Sequence, residues 1–500
     1  MHPDEHTPTH VFLLPVELYH QIIIFLDVRD VFALRRTCKH FFALTQERSL
    51  WSMMFTRLRA TQALPCSRTE FTAMSFSQAE RVLLTTSKVE ASFLHLRERL
   101  AHHIPAVKQP YSSMSASACS WRVLTFISDR FILSVDMTAV MIWDTMTLAS
   151  SSPAVATSPW AHFTLSNLLG HVDCYSALYI AIGRVHADHT SAVIYSVPLP
   201  SLEENEHQHG RLHREAEFPL LDNEMLKHMD PHTGRVLLYL PSTSIHIVHW
   251  NDGNRRSTIS LQLDQLDQAW NGVTSLRFCG PYILCFRVRA VEAYPIPTNP
   301  PTTEPLPLLR HRFGPVCFRA VSLSRVRVSH CPSSGDVYTI YMLTNDVYQG
   351  MFHYRIRITT APTPVMSVRV LARGSILPSE PLPLMPGTET RYTLEDIIRR
   401  MFVSTWSLGS AGLRGVWVDR QRGSIDRRVV AFTTHPRRLR SKAPGVDEDE
   451  DASDEPPTMD GKVVHVISSY DLRDDVTTCA VSEWTGRIAL GSRIGAISLL

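Results

Sequence analysis

Residues 14–51 read LPVELYHQIIIFLDVRDVFALRRTCKHFFALTQERSLW, and this stretch determines how the N-terminal part of the chain folds. Pro15 lies where a helix can begin, because a missing N–H costs nothing in the first turn. The apolar residues that follow at helical spacing are Leu18, Ile22, Phe25 and Leu26. This spacing predicts an amphipathic helix with one apolar face.

Two further helices are predicted in the same stretch. Asp30 can cap the second helix by accepting hydrogen bonds from free backbone N–H groups, and Ser49 can cap the third in the same way. The apolar residues of these helices are Leu34, Cys38, Phe41, Phe42, Trp51 and Phe55. Three short helices form only a small core, so a partner or a neighbouring domain is expected to bury the remaining surface.

The ordered set of residues in this stretch resembles the F-box family. The family pattern begins with Leu-Pro-x-Glu-Leu, continues through Ile, Leu-Asp and Asp-Leu elements, and ends with Leu-Trp. The matching residues are Leu14, Pro15, Glu17, Leu18, Ile22, Leu26, Asp27, Asp30, Leu34, Cys38, Lys39, Leu50 and Trp51. Phe41 stands where the family often has Trp and keeps an aromatic ring there. The domain order is similar to that of fungal-type F-box proteins.

The resemblance implies that residues 10–60 bind the small adaptor that links F-box proteins to a cullin–RING scaffold. Such an interface forms by helix packing, in which exposed apolar side chains make the dominant contacts. The adaptor-binding residues that the resemblance implies are Leu14, Pro15, Glu17, Leu18, Ile22, Leu26, Leu34, Cys38 and Phe41. The alternative is a small helical cap whose apolar face is entirely internal.

A second helical region is predicted directly after this unit. Residues 77–100 contain neither proline nor glycine and carry apolar residues throughout, which predicts one helix or two. Residues 61–110 are therefore expected to form a helical linker. This linker either fixes the F-box relative to the next domain or packs against the side of that domain.

From residue 111 to residue 500 the chain consists of short β-rich runs. Stretches such as RVLLYLPSTSIHIVHW at 235–250 alternate apolar runs with turn residues. The runs recur about every 40 to 60 residues, a period typical of four-stranded propeller blades. Trp143-Asp144 resembles the dipeptide that closes a WD-type repeat. The expected fold class is α+β multidomain, with a three-helix F-box, a helical linker and a seven-bladed β-propeller; a pair of β-sandwiches is the alternative.

Seven propeller units are predicted to begin near residues 115, 165, 220, 270, 315, 400 and 463. The connections 201–216, 295–315, 372–395 and 436–461 are expected to be loops on the propeller faces. The last of these is basic at its start and acidic at 447–451, and it offers few apolar residues to bury. Such composition predicts a disordered insertion, with either a regulatory or partner-docking role or no role.

The overall charge balance argues against nucleic-acid and membrane binding. The 500-residue chain has a formal net charge of +2, which produces no field that would attract polyanions. No run provides the roughly 20 apolar residues of a membrane span, and residues 1–10 do not resemble a signal peptide. Nine irregularly spaced cysteines fit a reducing interior better than a disulfide framework. The expected location is therefore cytoplasmic, nuclear or both.

No catalytic, cofactor or metal motif is recognisable in the sequence. Gly409, Gly412 and Gly415 lack the Gly-Lys-Ser/Thr of a phosphate loop, so turns are their expected role. Cys279 and Cys285 lack zinc-site spacing and are predicted to be core residues. Histidines cluster at two places without a recognisable ligand set, namely His207, His209 and His213, and His228 with His232.

Three functions fit these observations. The first is the substrate-recognition subunit of an SCF-type cullin–RING E3 ubiquitin ligase, monomeric within the complex and not itself catalytic. Its F-box binds the adaptor, and its propeller holds an unknown protein substrate near the ubiquitin carrier. The second is a propeller scaffold or interaction protein outside a ligase, and the third is an enzyme with a site in the propeller channel. The resemblance favours the first.

Overall fold

The computed structural model describes two compact units, one helical and one β-rich. The described residues are 14–59, 62, 64, 68–94, 123–127, 131–135, 139–144, 156–159, 164–173, 177–185, 189–198, 213–241, 243–261, 272–297, 307–331, 335–347, 349–360, 363–374, 401–421, 424–434, 458–459, 461–493 and 497–500. The predictions for His207, His209 and most of the insertion 436–461 concern residues outside these ranges.

In the residues that the structure describes, the helical unit contains six helices. They are α1 (Val16–Ile23), α2 (Val28–Arg35), α3 (Lys39–Leu44), α4 (Arg48–Arg59), α5 (Arg68–Ala73) and α6 (Phe76–Leu94). A reciprocal cap starts α6: the Ser75 N–H donates to Gln78 Oε1 at 2.8 Å, and the Gln78 N–H donates to Ser75 Oγ at 3.3 Å. None of the described helices is both long and apolar enough to cross a membrane.

Trp51 lies at the centre of the helical core. Its side chain is fully buried, and its indole Nε1–H donates to the Thr45 carbonyl oxygen at 2.7 Å. The Arg35 guanidinium lies 5.6 Å from the Trp51 ring and forms an ion pair with Glu80 of α6. Phe71 of α5 belongs to the same core. Helices from the predicted linker region therefore help to bury the apolar face of α1–α4.

Two capping predictions and the helix count were wrong. Helix α2 begins at Val28 and has Asp27 at its N-cap, so Asp30 lies inside its first turn. Helix α4 begins at Arg48, which also places Ser49 inside the helix. The predicted second helix is interrupted at Cys38, whose backbone is extended. Helix α3 begins directly after this residue. The segment predicted as three helices therefore contains four.

The described part of the β-rich unit contains seven antiparallel sheets, called blades 1 to 7 in chain order. Blade 1 is β1 (Val123–Ile127), β2 (Phe131–Val135), β3 (Ala139–Asp144) and β4 (Ala156–Pro159); blade 2 is β5 (Thr164–Asp173), β6 (Ala177–Val185), β7 (Thr190–Pro198) and β8 (His213–Leu220). Blade 3 is β9 (Met225–Asp230), β10 (Arg235–Leu240), β11 (Ser244–His249) and β12 (Arg255–Ser260); blade 4 is β13 (Val273–Cys279), β14 (Tyr282–Arg287), β15 (Ala290–Pro295) and β16 (Leu309–Arg312).

The remaining three blades differ in strand number. Blade 5 is β17 (Phe318–Leu323), β18 (Arg327–Cys331), β19 (Gly335–Asp346), β20 (Gly350–Thr359) and β21 (Val365–Gly374); blade 6 is β22 (Met401–Leu408), β23 (Arg414–Gln421), β24 (Asp426–Thr433) and β25 (Lys462–Ser468). Blade 7 is β26 (Val476–Val481), β27 (Ile488–Ser492) and β28 (Ile497–Leu499). In blade 5, both β17 and β18 pair with β19.

The first strand of every blade lies at the centre of the unit. Strands β1, β5, β9, β13, β17, β22 and β26 contact one another in this order, and β26 contacts β1. The inner strands therefore form a closed ring, which is the arrangement of a seven-bladed β-propeller. This result confirms the predicted fold class, and the alternative of two β-sandwiches is wrong.

Strand β14 shows how the blades pack. Its sequence YILCFR is apolar without alternation because both of its faces are buried, as expected for a strand between two packed layers. Leu284 and Phe286 pack toward blade 5, whereas Ile283 and Cys285 pack toward blade 3. Burial raises the pKa of the Cys279 and Cys285 thiols to about 12. Both cysteines are core residues, as predicted.

Trp143 ends the third strand of blade 1. Its indole Nε1–H donates to the Ser134 hydroxyl oxygen at 2.7 Å and thereby ties β3 to β2. The dipeptide predicted to close a WD-type repeat thus stands at the end of a third strand.

Three predicted boundaries in the propeller were wrong. The unit predicted near residue 463 begins at Val476, because β25 completes blade 6 instead. Strand β16 lies inside the stretch 295–315 and strand β8 begins inside the stretch 201–216, and both stretches were predicted to be loops. Both are outermost strands, and outer strands have polar side chains in contact with water, so their sequences HREAEFPL and LRHR lack the usual apolar runs.

Candidate functional site

Helix α1 carries an exposed apolar face. Leu18 and Ile22 are four residues apart and lie on one side of α1, and Phe25 follows three residues later in the turn that succeeds the helix. Ile22 is 54% exposed and Phe25 is 78% exposed. Leu14 and Val16, at the start of the helix, are exposed as well. We call these five residues the α1 face. Grouped exposed apolar side chains of this kind mark an interaction surface.

The other side of α1 attaches the helix to the core. Tyr19 and Ile23 are buried in the helical core, and the Tyr19 ring meets the Phe41 ring edge-on at 6.0 Å. His20 is also buried, and its Nε2 lies 3.3 Å from Glu47 Oε2. Since these contacts already hold α1 in place, the α1 face is not required for packing the core.

Arg57 fixes the chain segment that carries Phe25. Its guanidinium carbon lies 6.0 Å from the centroid of the Phe25 ring, within cation–π distance. Its Nη1–H donates to the Leu26 carbonyl oxygen at 3.2 Å. Arg57 of α4 thereby holds the segment that follows α1. The same side chain orients the Phe25 ring, although most of this ring is exposed.

The nine predicted adaptor-binding residues fall into two groups. The exposed ones are Leu14, Pro15, Glu17, Leu18 and Ile22. The half-buried ones are Leu26, Leu34, Cys38 and Phe41. The first group surrounds the start of α1. In the second group, Leu26, Leu34 and Phe41 pack against the helical core, and Cys38 lies just before α3.

Among the described residues of the helical unit, three large exposed apolar residues were not among the predicted site residues. They are Val16, Phe25 and Phe42. The spacing of Phe25 from Leu18 and Ile22 is the sequence signal that identifies it as part of the same helix face. Val16 and Phe42 have no such signal, because apolar residues occur on all sides of α1 and α3.

A buried Ser–His–Glu set lies in blade 3. Ser244 Oγ lies 2.9 Å from His246 Nε2, and His246 Nδ1 lies 2.5 Å from Glu224 Oε1. The Glu224 carboxylate also accepts the Leu221 N–H at 2.9 Å and pairs with Arg256 at 3.3 Å. This order of groups occurs in hydrolases. Here all three side chains of the set are buried, so they tie the start of β9 to β11 and β12.

Metal-ligating residues do not converge in the described part of the chain. No group of three His, Cys, Asp or Glu side chains within it could hold a metal ion. His228, which the sequence pairs with His232 as half of a possible site, packs edge-on against Phe278 at 5.6 Å. His228 therefore contributes to the packing of blade 3 on blade 4.

Comparison with known families supports the interpretation of the N-terminal helices. Residues 11–57 match the family described as F-box-like. This match spans α1 to α3 and most of α4, so the α1 face belongs to an F-box-like domain. Among curated proteins, none matches the sequence of this chain.

Several solved structures are similar to the chain at low identity. The WD40 domain of SCAP from fission yeast is 8% identical, covering 76% of this chain and 81% of that chain with a TM-score of 0.36. A chain of the mitotic checkpoint complex is 10% identical, covering 78% and 93% respectively with a TM-score of 0.38. The C-terminal WD40 domain of Sif2 is 8% identical, covering 77% and 98% with a TM-score of 0.40.

The β-rich unit is a seven-bladed propeller that resembles WD40 domains, as its seven sheets and closed ring of inner strands show. The chain thus combines an F-box-like domain with a seven-bladed propeller. Both modules are typically non-catalytic interaction modules.

Proposed function

We propose that this chain is the substrate-recognition subunit of an SCF-type cullin–RING E3 ubiquitin ligase. The F-box binds the adaptor of the ligase, which in turn binds the cullin, and the propeller binds a protein substrate. One copy of the chain acts in each complex, in the cytoplasm, the nucleus or both. The observation that carries the proposal is the exposed α1 face on a domain that matches the F-box-like family.

The α1 face supplies the energy of the proposed adaptor contact. Complete burial of a Leu, Ile or Phe side chain contributes about 1.5–3 kcal/mol. Leu18 and Ile22 lie on one side of α1 and Phe25 lies in the turn directly after it, so a partner groove can bury the three together. The helix is already fixed by Tyr19 and Ile23, and little conformational entropy is lost when the partner binds.

The remaining predicted residues shape the rim of this contact. Pro15 and Glu17 are exposed beside the α1 face. Half-buried Leu34 and Phe41 connect the surface to the core. We propose that Leu26 and Cys38 have the same connecting role, with Cys38 serving as a packing residue and not as an acceptor of ubiquitin.

The chain promotes ubiquitin transfer by proximity under this proposal. Holding a substrate near the charged ubiquitin carrier raises the effective concentration of the substrate lysine. No catalytic group of this chain is needed, and the bond-forming chemistry belongs to other subunits.

The test is capture of the purified SCF adaptor, alone and with its cullin, by the full-length chain. We expect the double variant Leu18→Ala with Ile22→Ala to bind the adaptor at least about tenfold more weakly. A matched control replaces two exposed valines of blade 5, Val328→Ala with Val365→Ala, and should bind like the wild type. Equal binding by the two double variants would overturn the proposed surface. Adaptor binding without cullin recruitment would instead support a role outside a ligase.

A further inference from the structure

We propose that the propeller is protected from ubiquitin transfer because its described surface carries arginine in place of lysine. Ubiquitin transfer to the chain itself is thereby directed to the helical unit, with Lys88 of α6 as the main acceptor. The inference rests on the proposed function, since a substrate-recognition subunit is held beside a charged ubiquitin carrier. A subunit that accepted ubiquitin as readily as its substrate would compete with that substrate.

Lysine is scarce in the sequence as a whole. The 50 basic residues comprise 44 arginines and only six lysines. Lysine is normally among the commonest residues of soluble proteins, and lysine and arginine both favour exposed positions. The six lysines are Lys39, Lys88, Lys108, Lys227, Lys442 and Lys462. The stretch from 109 to 441, two thirds of the chain, therefore contains a single lysine.

The described surface of the propeller is rich in arginine and poor in lysine. Eleven of its described arginines are exposed, whereas its two described lysines are both half-buried. The exposed arginines are Arg214, Arg255, Arg289, Arg310, Arg312, Arg319, Arg325, Arg369, Arg373, Arg473 and Arg493. Positive charge on this surface is therefore carried by guanidinium groups.

The two described lysines of the propeller are poorly placed to accept ubiquitin. Lys227 lies on the inner strand β9, and its Nζ is 5.6 Å from the centroid of the Tyr239 ring, which belongs to the core between blades 3 and 4. Burial lowers the pKa of this amine, so access and not protonation limits its reaction. Lys462 begins the outermost strand of blade 6, directly opposite Ala431, and its side chain is half-buried.

The helical unit does present accessible amines. Lys39 begins α3 and Lys88 lies on α6, and both side chains are exposed. Lys39 directly follows Cys38, which belongs to the proposed adaptor contact, so a bound adaptor restricts access to Lys39. Lys88 is far from that contact in the sequence and remains the better acceptor.

The chemistry of transfer explains why arginine does not substitute for lysine as an acceptor. A neutral lysine amine attacks the carbonyl carbon of the thioester that joins ubiquitin to its carrier. A C–N bond forms and the C–S bond breaks, and the carrier cysteine leaves as a thiolate that takes up a proton from the nitrogen. The guanidinium of arginine stays protonated and delocalised, so it has no lone pair for this attack.

Structural stability does not require arginine at the exposed positions. Arg255 pairs with Asp252 at 3.0 Å, and Arg473 pairs with Asp471 at 2.8 Å. Exposed pairs of this kind contribute little to stability, and a lysine can form them as well. The property that distinguishes arginine from lysine at such positions is therefore the missing amine, which is the property that matters beside a ubiquitin carrier.

The test is self-modification of the full-length chain in a reconstituted SCF complex, with activating enzyme, carrier, ubiquitin and ATP but no substrate. Lys108 and Lys442 lie outside the described residues and are replaced by arginine in every protein of the assay. We expect ubiquitin mainly on Lys88 and none on Lys227, as identified by mass spectrometry. The additional substitution Lys88→Arg should reduce self-modification to less than about half, because it removes the better of two exposed acceptors.

A second variant adds amines to the propeller without changing its charge. It carries four exposed substitutions, Arg214→Lys, Arg255→Lys, Arg369→Lys and Arg473→Lys. We expect it to be modified at least about twofold faster, with new adducts at these positions, because amines on the propeller then lie near the carrier. The matched control has glutamine at the same four positions and should be modified like the wild type. Equal thermal unfolding of the lysine variant and the wild type excludes exposure by loss of fold.

Two results would overturn the proposal: equal rates for the lysine variant and the wild type, or adducts on Lys227 in the folded wild type. An unchanged rate in Lys88→Arg would overturn the assignment of the main acceptor. The assay is repeated with the adaptor fused to the N-terminus of the chain, so that the complex assembles whatever the α1 face binds. Failure of the unfused chain to capture the adaptor counts against the proposed function, while the fused chain still tests the protection.

Discussion

Ile22 and Ile23 are consecutive residues of α1 with opposite surroundings. Ile22 is 54% exposed on the α1 face, whereas Ile23 is 1% exposed and packs in the helical core near Tyr19. The two side chains are chemically identical and one peptide bond apart. They therefore separate the contribution of an isoleucine to folding from its contribution to partner binding.

Replacing Ile23 by alanine should affect mainly folding, whereas replacing Ile22 by alanine should affect mainly adaptor binding. Ile23→Ala leaves a cavity in the core and should lower the free energy of unfolding of the helical unit by about 2–5 kcal/mol. Ile22→Ala removes only exposed surface and should change that free energy by no more than about 0.5 kcal/mol. Adaptor binding should nevertheless weaken by about 1–2 kcal/mol in Ile22→Ala. Thermal denaturation and an adaptor titration measure the two effects.

The control for this pair is Val328→Ala, which truncates an exposed apolar side chain on β18 of the propeller. It should alter neither unfolding of the helical unit nor adaptor binding. If Ile22→Ala bound the adaptor as tightly as Val328→Ala did, the α1 face would not be the adaptor contact.

The sequence predicts that α1 is amphipathic but not which of its sides is buried. Leu18 and Ile22 mark one apolar side, while Tyr19 and Ile23 mark another of similar hydrophobicity. Helical spacing alone favours neither side, because both sets recur at intervals of four. The choice depends on packing against α3, α4 and α6, which a single sequence does not encode in any local pattern.

The sequence predicts the buried strands of the propeller but not the exposed outer strands. Strands such as β14 have continuous apolar sequences because neighbouring blades cover both faces. The outer strands β8 and β16 are fixed by backbone pairing with β7 and β15, and their side chains give little hydrophobic signal. The pairing of Arg355 with Arg369 shows the same limit, since it depends on register across a hairpin.

His353 should make the stability of the propeller dependent on pH. Its imidazole is fully buried between Tyr341 and Phe432, and this desolvation lowers its pKa to about 4. Between pH about 6.5 and about 4 the unfolded chain therefore binds more protons at this residue than the folded chain. The free energy of unfolding should fall as the pH falls through this window, by at most about 1.4 kcal/mol per pH unit.

Chemical denaturation at a series of pH values measures this dependence. His353→Gln removes the titrating group, so its stability should vary less steeply with pH in this window. Glu483→Gln is a control that should change the pH dependence of stability in the opposite direction. Burial raises the pKa of Glu483, so on acidification the folded chain takes up a proton there before the unfolded chain does, which favours the folded chain; removing the carboxyl should steepen the loss. An unchanged slope in His353→Gln would show that the imidazole does not stay neutral in the folded chain.

Alanine substitutions at Gly412 and Gly314 separate the energetic cost of backbone strain from that of steric clash. Both have positive φ angles, +77° and +74°, which L side chains rarely adopt. A Cβ atom at Gly412 would lie 2.5 Å from Tyr341 Cβ, whereas at Gly314 it would meet nothing within 4 Å. Gly314→Ala should therefore lower the free energy of unfolding by about 1 kcal/mol, the cost of the left-handed backbone alone.

Gly412→Ala carries the same backbone cost and an additional clash. Its turn cannot move aside easily, because the N–H groups of Ala411, Leu413 and Arg414 all donate to the buried Glu483 carboxylate. We expect the free energy of unfolding to fall by a further 1–3 kcal/mol or so relative to Gly314→Ala. Shortening the neighbour in the double variant Gly412→Ala with Tyr341→Ala should recover part of this excess. If Gly412→Ala and Gly314→Ala proved equally stable, blade 6 would not pack on Tyr341 as closely as the structure shows.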